Sequence, residues 1–166
     1  MNKYYWLIPI LPLLGSLFNG LLGKRAGKGV VTAVGVGVVF GALLLALSAF
    51  FAMKGTADHR LALTYGEWMA TGSLSVPIGL VVDTLSGTMM LIVTGIGFLI
   101  HLYSVGYMQE DEGYARFFCY LNLFVFFMLT LVLGSSLVLM FVGWEGVGLC
   151  SYLLIGYFFE TDYAPD

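Results

Sequence analysis

The chain has 166 residues, of which 60% are hydrophobic and 10% charged, with a mean hydropathy of +0.94. A water-soluble domain of this size has no use for so much apolar surface, so the expected solvent is a bilayer. A net charge of -3 with seven Lys and Arg leaves no basic stripe for nucleic acid. Cys119 and Cys150 sit in apolar runs without CxxC or Cys/His spacing, so they read as packing thiols and not as metal ligands.

Five apolar stretches approach the roughly 20 residues that a helix needs to cross about 30 Å of hydrocarbon. They cover residues 5–22, 30–53, 85–107, 117–133 and 137–159. Backbone in lipid must satisfy its own polar groups, and no series of alternating ten-residue strands suggests a barrel. The expected fold is therefore all-α and transmembrane, with about five membrane-spanning helices. Lys3 followed by an apolar run looks like a signal peptide at first sight. Pro9, Pro12 and Gly15 interrupt that run, and no small-x-small cleavage site precedes Lys24-Arg25, so it reads as a retained first span.

Lys24, Arg25 and Lys28 cluster in the first short loop, which the positive-inside bias places in the cytoplasm. The N-terminus is then expected on the periplasmic side and the C-terminus in the cytoplasm, although Lys3, Lys54 and Arg60 fall on the outer side. In the second span, Gly37 and Gly41 form a small-xxx-small pattern suited to close helix packing. The outer loop between spans two and three alternates at Leu61, Leu63 and Tyr65, and again from Leu74 to Val82 after Thr71-Gly72-Ser73. This predicts a short β-hairpin over residues 61–83 resting on the bundle, with Pro77 on an edge strand. Asp83 stands where a carboxylate caps the next helix.

His101 lies about six residues from the inner end of the third span, where its titration range suits a proton relay or an interfacial hydrogen bond. His59 belongs to the polar outer loop. Trp68, Tyr103, Tyr107, Tyr114 and Tyr157 fall near the expected interfaces and read as membrane anchors. Glu145 stands about eight residues into the fifth span, some 12 Å below the surface at roughly 1.5 Å per residue. An acid there costs at least about 2.5–3.5 kcal/mol on insertion scales, which marks it as a proton-site candidate, expected as a buried carboxylate. Gly143, Gly146 and Gly148 are expected to leave room for water or another helix to reach it. No GxGxxG follows a strand, and no Cys cluster or paired span histidines suit a redox cofactor, so none is expected in this chain.

The run Gly143-Trp144-Glu145-Gly146-Val147-Gly148-Leu149-Cys150-Ser151-Tyr152-Leu153-Leu154-Ile155-Gly156 resembles the fifth-helix signature of the L-subunit family of NADH-quinone oxidoreductase, called subunit 5 in mitochondrial complex I. The resemblance extends upstream through Asp83-Thr84-Leu85-Ser86, Val93 to His101 and Gly113 to Phe118. It implies an antiporter-like proton-translocating subunit in a bacterial inner membrane, beside other complex I membrane subunits and especially a neighbouring antiporter-like one. It also implies NADH, FMN, iron-sulfur clusters and quinone in partner subunits. By similarity, Glu145 matches a family glutamate paired with a lysine on a later broken helix. Family members are several times longer, and this sequence stops at Tyr163-Ala164-Pro165-Asp166, so the lysine and the second half of the inverted repeat lie outside it. The alternatives are a subunit of a Mrp-type Na+/H+ antiporter or of a related hydrogenase or carbon-uptake complex, and a non-catalytic membrane scaffold.

Overall fold

The computed structural model describes residues 4–72 and 74–158. Lys3, Ser73 of the expected turn, residue 159 of the last expected span and the terminal Tyr163 to Asp166 lie outside the described residues. The elements run α1 (Leu7–Leu21), α2 (Gly23–Ala26), α3 (Lys28–Lys54), β1 (Leu61–Thr71), β2 (Leu74–Val82), α4 (Thr84–Tyr107), α5 (Tyr114–Leu133) and α6 (Leu137–Ile155). A 3-10 turn at Gly156–Phe158 continues α6. Among the described residues α3, α4, α5 and Leu137–Phe158 are long and apolar enough to cross a membrane. The first expected span is shorter, because α1 has 15 residues and reaches about 22 Å.

The connections alternate between two ends. At the basic end, Lys28 Nζ donates to the Gln109 carbonyl at 2.7 Å and joins the α2–α3 turn to the α4–α5 loop. At the other end, Ser135 N donates to the Gly79 carbonyl at 3.1 Å and joins the α5–α6 turn to the hairpin. The helices therefore run up and down side by side, with α5 in the middle against α1, α3, α4 and α6.

Helical periodicity explains the central place of α5. Phe118, Leu121, Val125, Leu129 and Leu133 recur every three or four residues and are all buried. The packed face of α3 carries Val31, Gly35, Val39, Ala42, Ala46 and Ala49, small residues that let neighbouring backbones approach. The Gly37/Gly41 pattern is not that face: a Cβ at Gly37 would meet nothing within 4 Å, and one at Gly41 only Leu11 at 3.4 Å. Spacing identified a small-residue motif but not the side of the helix that packs.

The core has two apolar clusters with a polar layer between them. Ile8, Ala46, Met53, Met90, Val125 and Leu129 pack towards the hairpin, and Val31, Met108, Tyr114, Phe118 and Tyr157 pack at the basic end. Tyr114 is thus buried and not a membrane anchor, and the same holds for Tyr157. The Tyr157 hydroxyl donates to Asp111 Oδ1 at 2.7 Å, which also accepts from Gly113 N at 2.6 Å, and Arg116 lies over the Tyr157 ring at 5.0 Å. This pins the end of α6 to the α4–α5 loop.

The hairpin matches its expected position. Its antiparallel register runs from Leu61 opposite Val82 to Thr71 opposite Leu74, with irregularities between Thr64 and Gly66 and between Glu67 and Met69. In a two-stranded sheet both strands are edges, which accommodates Pro77 opposite Glu67. Leu61, Leu80 and Val82 at its base join the hairpin-side core, while Trp68 and Met69 near its tip are exposed. Asp83 caps α4 reciprocally: Ser86 N donates to Asp83 Oδ1 at 2.8 Å and Asp83 N donates to Ser86 Oγ at 2.8 Å.

The α5–α6 seam depends on glycine. A Cβ at Gly143 would lie 2.5 Å from Leu131 N and 2.6 Å from Leu131 Cα, and one at Gly146 would enter the Phe127 ring. At Gly148 nothing lies within 4 Å. Gly143→Ala should therefore destabilise the protein by about 1–3 kcal/mol through overpacking against backbone, whereas Gly148→Ala should be neutral or slightly stabilising, as read from thermal unfolding in detergent.

Asp83→Ala should cost about 0.5–2 kcal/mol through loss of the cap. Hydrogen bonding from Ser86 N holds the Asp83 carboxyl below its ordinary value of 3.8. A depressed carboxyl stabilises the folded state above its unfolded pKa, so the difference between wild type and Asp83→Ala should be full at neutral pH. It should shrink as pH falls below that ordinary value, which unfolding curves over a pH series will read.

Candidate functional site in the last helix

Ser136 caps α6, its Oγ accepting from Leu139 N at 3.3 Å, and starts the helix that carries Glu145. From Leu137 the carboxylate is eight residues in, and from Ile155 ten residues back, or about 12 and 15 Å along the axis. Glu145 is therefore near the middle of its span, as its position in sequence indicates.

Its surroundings differ from the expectation of a buried acid. Gly143, Gly146 and Cys150 form the buried stripe of α6 against α5. At roughly 100° per residue, Glu145 is turned about 100–160° from each of these. It falls on the opposite face with Phe141, Gly148, Tyr152 and Ile155, all exposed. Trp144 beside it is 68% exposed and Tyr152 75%. Among the described residues Glu145 has no hydrogen-bond or ion-pair partner. Gly143 and Gly146 thus serve helix contact and open no space to the acid, while Gly148 alone of the three lies on its open side.

His101 is elsewhere, in the polar layer of the α1–α3–α4–α5 core, and is fully buried. Its Nδ1 lies 2.8 Å from the Gly97 carbonyl. A carbonyl only accepts, so Nδ1 carries the proton and Nε2 of the neutral ring is an acceptor. The ring meets Phe118 edge-on, with centroids 6.0 Å apart, and borders an open apolar groove of Ile96, Ile100, Leu121 and Leu154. The fold does not bring His101 and Glu145 together. It does bring Asn19 and Asn122 into the layer of His101, buried at 1% and 0% exposure. Neither asparagine titrates, so a search for proton carriers passes over them. Their signal in the sequence is a carboxamide inside an apolar span.

Together these features define a polytopic membrane bundle with an unpaired acid at mid-depth on its outer face. The particular relatives are explicit. The family model described as NADH-Ubiquinone oxidoreductase (complex I), chain 5 N-terminus, matches residues 68–118. NADH-quinone oxidoreductase subunit L of Escherichia coli (strain K12) is 46% identical over 154 residues, covering 90% of this chain and 24% of that protein. NADH-ubiquinone oxidoreductase chain 5 of Dictyostelium discoideum is 40% identical over 152 residues, covering 90% of this chain and 22% of that one. A chain of the membrane-bound sulfane sulfur reductase, an archaeal respiratory membrane complex, shares the fold with a TM-score of 0.80 at 20% identity, over 94% of this chain and 31% of its own. The chain is thus homologous to the N-terminal portion of subunit L and chain 5 proteins, as its motifs indicated, and spans about a quarter of the length of these curated relatives.

The outward position of Glu145 can be checked directly. In the membrane-inserted chain a membrane-permeant carbodiimide should modify Glu145, and Glu145→Gln should abolish that modification in the peptide map. A folded chain that resists labelling would show that its own helices cover the carboxyl.

Proposed function

We propose that this chain is the N-terminal part of an antiporter-like, proton-translocating membrane-arm subunit of an NADH:quinone oxidoreductase, in which Glu145 carries protons along a path completed by helices outside the chain. The observation that carries this reading is the carboxylate at mid-depth, turned away from its own bundle. Intramembrane acids face protein or water-filled cavities, because hydrocarbon solvates neither a charge nor an unpaired polar group. The α6 face of Phe141, Glu145, Gly148 and Tyr152 is accordingly an interface with protein. A cationic side chain supplied from there would favour the ionised carboxylate, and its withdrawal would favour proton uptake. Alternating those states loads and releases a proton.

In this reading electron transfer takes place in partner subunits that hold NADH, FMN, iron-sulfur clusters and quinone. A neighbouring antiporter-like subunit is a contacting partner, and the membrane is the bacterial inner membrane. Lys24, Arg25 and Lys28 at one end support a cytoplasmic assignment for that end, with the hairpin and N-terminus periplasmic. His101 serves as a relay in the half of the membrane nearer the basic end. Identities of 46% and 40% to subunit L and chain 5 proteins favour this reading over more distant antiporter complexes.

The test is Glu145→Gln in the complete oxidoreductase reconstituted in vesicles. Proton uptake per NADH oxidised should fall severalfold in an assembly of normal subunit content. Unchanged proton uptake would overturn the role given to Glu145 and favour a scaffold.

A further inference from the structure

The polar layer between the two apolar clusters holds more than the proposed function uses. Asn19 on α1, Asn122 on α5 and His101 on α4 are 1%, 0% and 0% exposed. Nevertheless His101 Nε2, Asn122 Oδ1 and both side-chain polar atoms of Asn19 have no hydrogen-bond partner among the described residues. These groups converge from three helices. A Cβ on Gly35 of α3 would lie 3.1 Å from Asn19 Nδ2 and 3.3 Å from Asn122 Nδ2, so both amides sit over one glycine. A Cβ on Gly15 would lie 3.3 Å from Asn122 Oδ1, and the Asn122 side chain also approaches the His101 imidazole. Glycine at 15 and 35 lets these amides approach the α1 and α3 backbones beside Val38 and Phe118, which a Cβ would meet at 2.5 and 2.8 Å.

The unused bonding capacity identifies the ligand. His101 Nδ1–H is committed to the Gly97 carbonyl, and Asn122 Nδ2 donates to the Phe118 carbonyl at 2.9 Å. What faces the site is three acceptors, His101 Nε2, Asn122 Oδ1 and Asn19 Oδ1, together with the two N–H donors of Asn19 Nδ2 and the second N–H of Asn122 Nδ2. Acceptors need O–H or N–H groups, and the donors need lone pairs. Water supplies both. A metal cation would meet the acceptors but find no compensating charge, because α1, α3, α4 and α5 contain no Asp or Glu. Buried polar atoms are paired in almost all folded proteins, and internal water is the usual partner where side chains and backbone supply none.

We propose that the centre of the α1–α3–α4–α5 bundle is a water-binding site, in which water bridges His101 Nε2, Asn122 Oδ1 and the Asn19 carboxamide. Towards the hairpin the layer meets Val39, Met90, Val125 and Leu129, each buried and apolar, and the buried Thr94, whose hydroxyl donates to the Met90 carbonyl. Towards the basic end, polar groups continue in Ser104, one turn beyond His101, and in the Thr32–Tyr114 hydroxyl pair at 2.6 Å. Lys28 lies over the Tyr114 ring at 5.6 Å at that same end. Beyond the layer on that side lie Val31, Met108 and Phe118, also buried and apolar. The site is independent of Glu145 and stands whether or not that carboxylate translocates protons.

The test is a cryo-EM map of the intact assembly containing the full subunit, at a resolution that shows ordered water. A peak within about 2.6–3.2 Å of both His101 Nε2 and Asn122 Oδ1 is expected. Asn122→Leu, close to isosteric, should lose that peak with the helix backbones in place, while His101→Gln, which keeps a polar tip, should retain it. A dry layer with Asn19 or Asn122 bonded directly to His101 would overturn the proposal, as would a peak that persists in Asn122→Leu. Should Asn122→Leu fail to assemble, the unsubstituted map still decides between a wet and a dry layer.

Discussion

Hydrocarbon offers polar groups no partner, and nearly every feature of this protein follows from how that deficit is met. The backbone meets it by closing on itself in long apolar helices. The hairpin leaves the outer edges of both strands unpaired along most of their length, which is tolerable because it lies at the end of the bundle. There the turn at Gly134 and Ser135 reaches β2, through the Ser135 N to Gly79 bond and a bridge between Leu80 and Gly134. Side chains meet the deficit in two ways. Thr94, Ser104 and Thr130 return their hydroxyls to carbonyls one turn back, each within its own helix. Asn19, Asn122 and His101 cannot all do so, and they collect in one layer. Glu145 stands apart from both solutions.

The separation of Glu145 from the bundle is a consequence of how α6 attaches. Helices gain little from mutual apolar contact in lipid, so close approach and dispersion must hold them. The glycines of α6 on that face let it lie against Leu131 and Phe127 of α5, which fixes the rotation of the helix about its axis. Once that rotation is set, the acid two residues after Gly143 points outward. The Tyr157–Asp111 bond at the far end holds the same orientation. Seam and latch thus present the carboxylate to whatever lies beside this bundle.

That presentation fits a chain that spans about a quarter of its curated relatives. The acid stands on the outer face of α6, while the two apolar clusters, the hairpin and the Asp83 cap lie among the described helices and strands. Packing and exposure fall on different surfaces: α5 organises the interior, and the open face of α6 carries Glu145 outward. The polar layer is the exception, since it is interior and yet holds polar atoms without a partner among the described residues.

Much of this was legible in the sequence. Apolar run lengths located α3 to α6 within a few residues, alternation located the hairpin, and Asp83 was identifiable as a cap, because each depends on neighbours along the chain. The resemblance carried by the Gly143 to Gly156 run likewise needed no coordinates. The depth of Glu145 followed from counting residues, since helical rise is constant. Its facing did not. The direction of a side chain depends on which stripe of its helix finds a partner, and Gly37/Gly41 against Gly35/Ala42, or Gly148 against Gly143/Gly146, are equivalent until a second helix chooses between them. Nor could spacing reveal that Asn19, Asn122 and His101, separated by tens of residues, share one buried layer. Local periodicity and the energetics of hydrocarbon determined the elements and the depth of the acid, whereas tertiary packing alone decided what is inside, what faces outward and which polar groups must share a ligand.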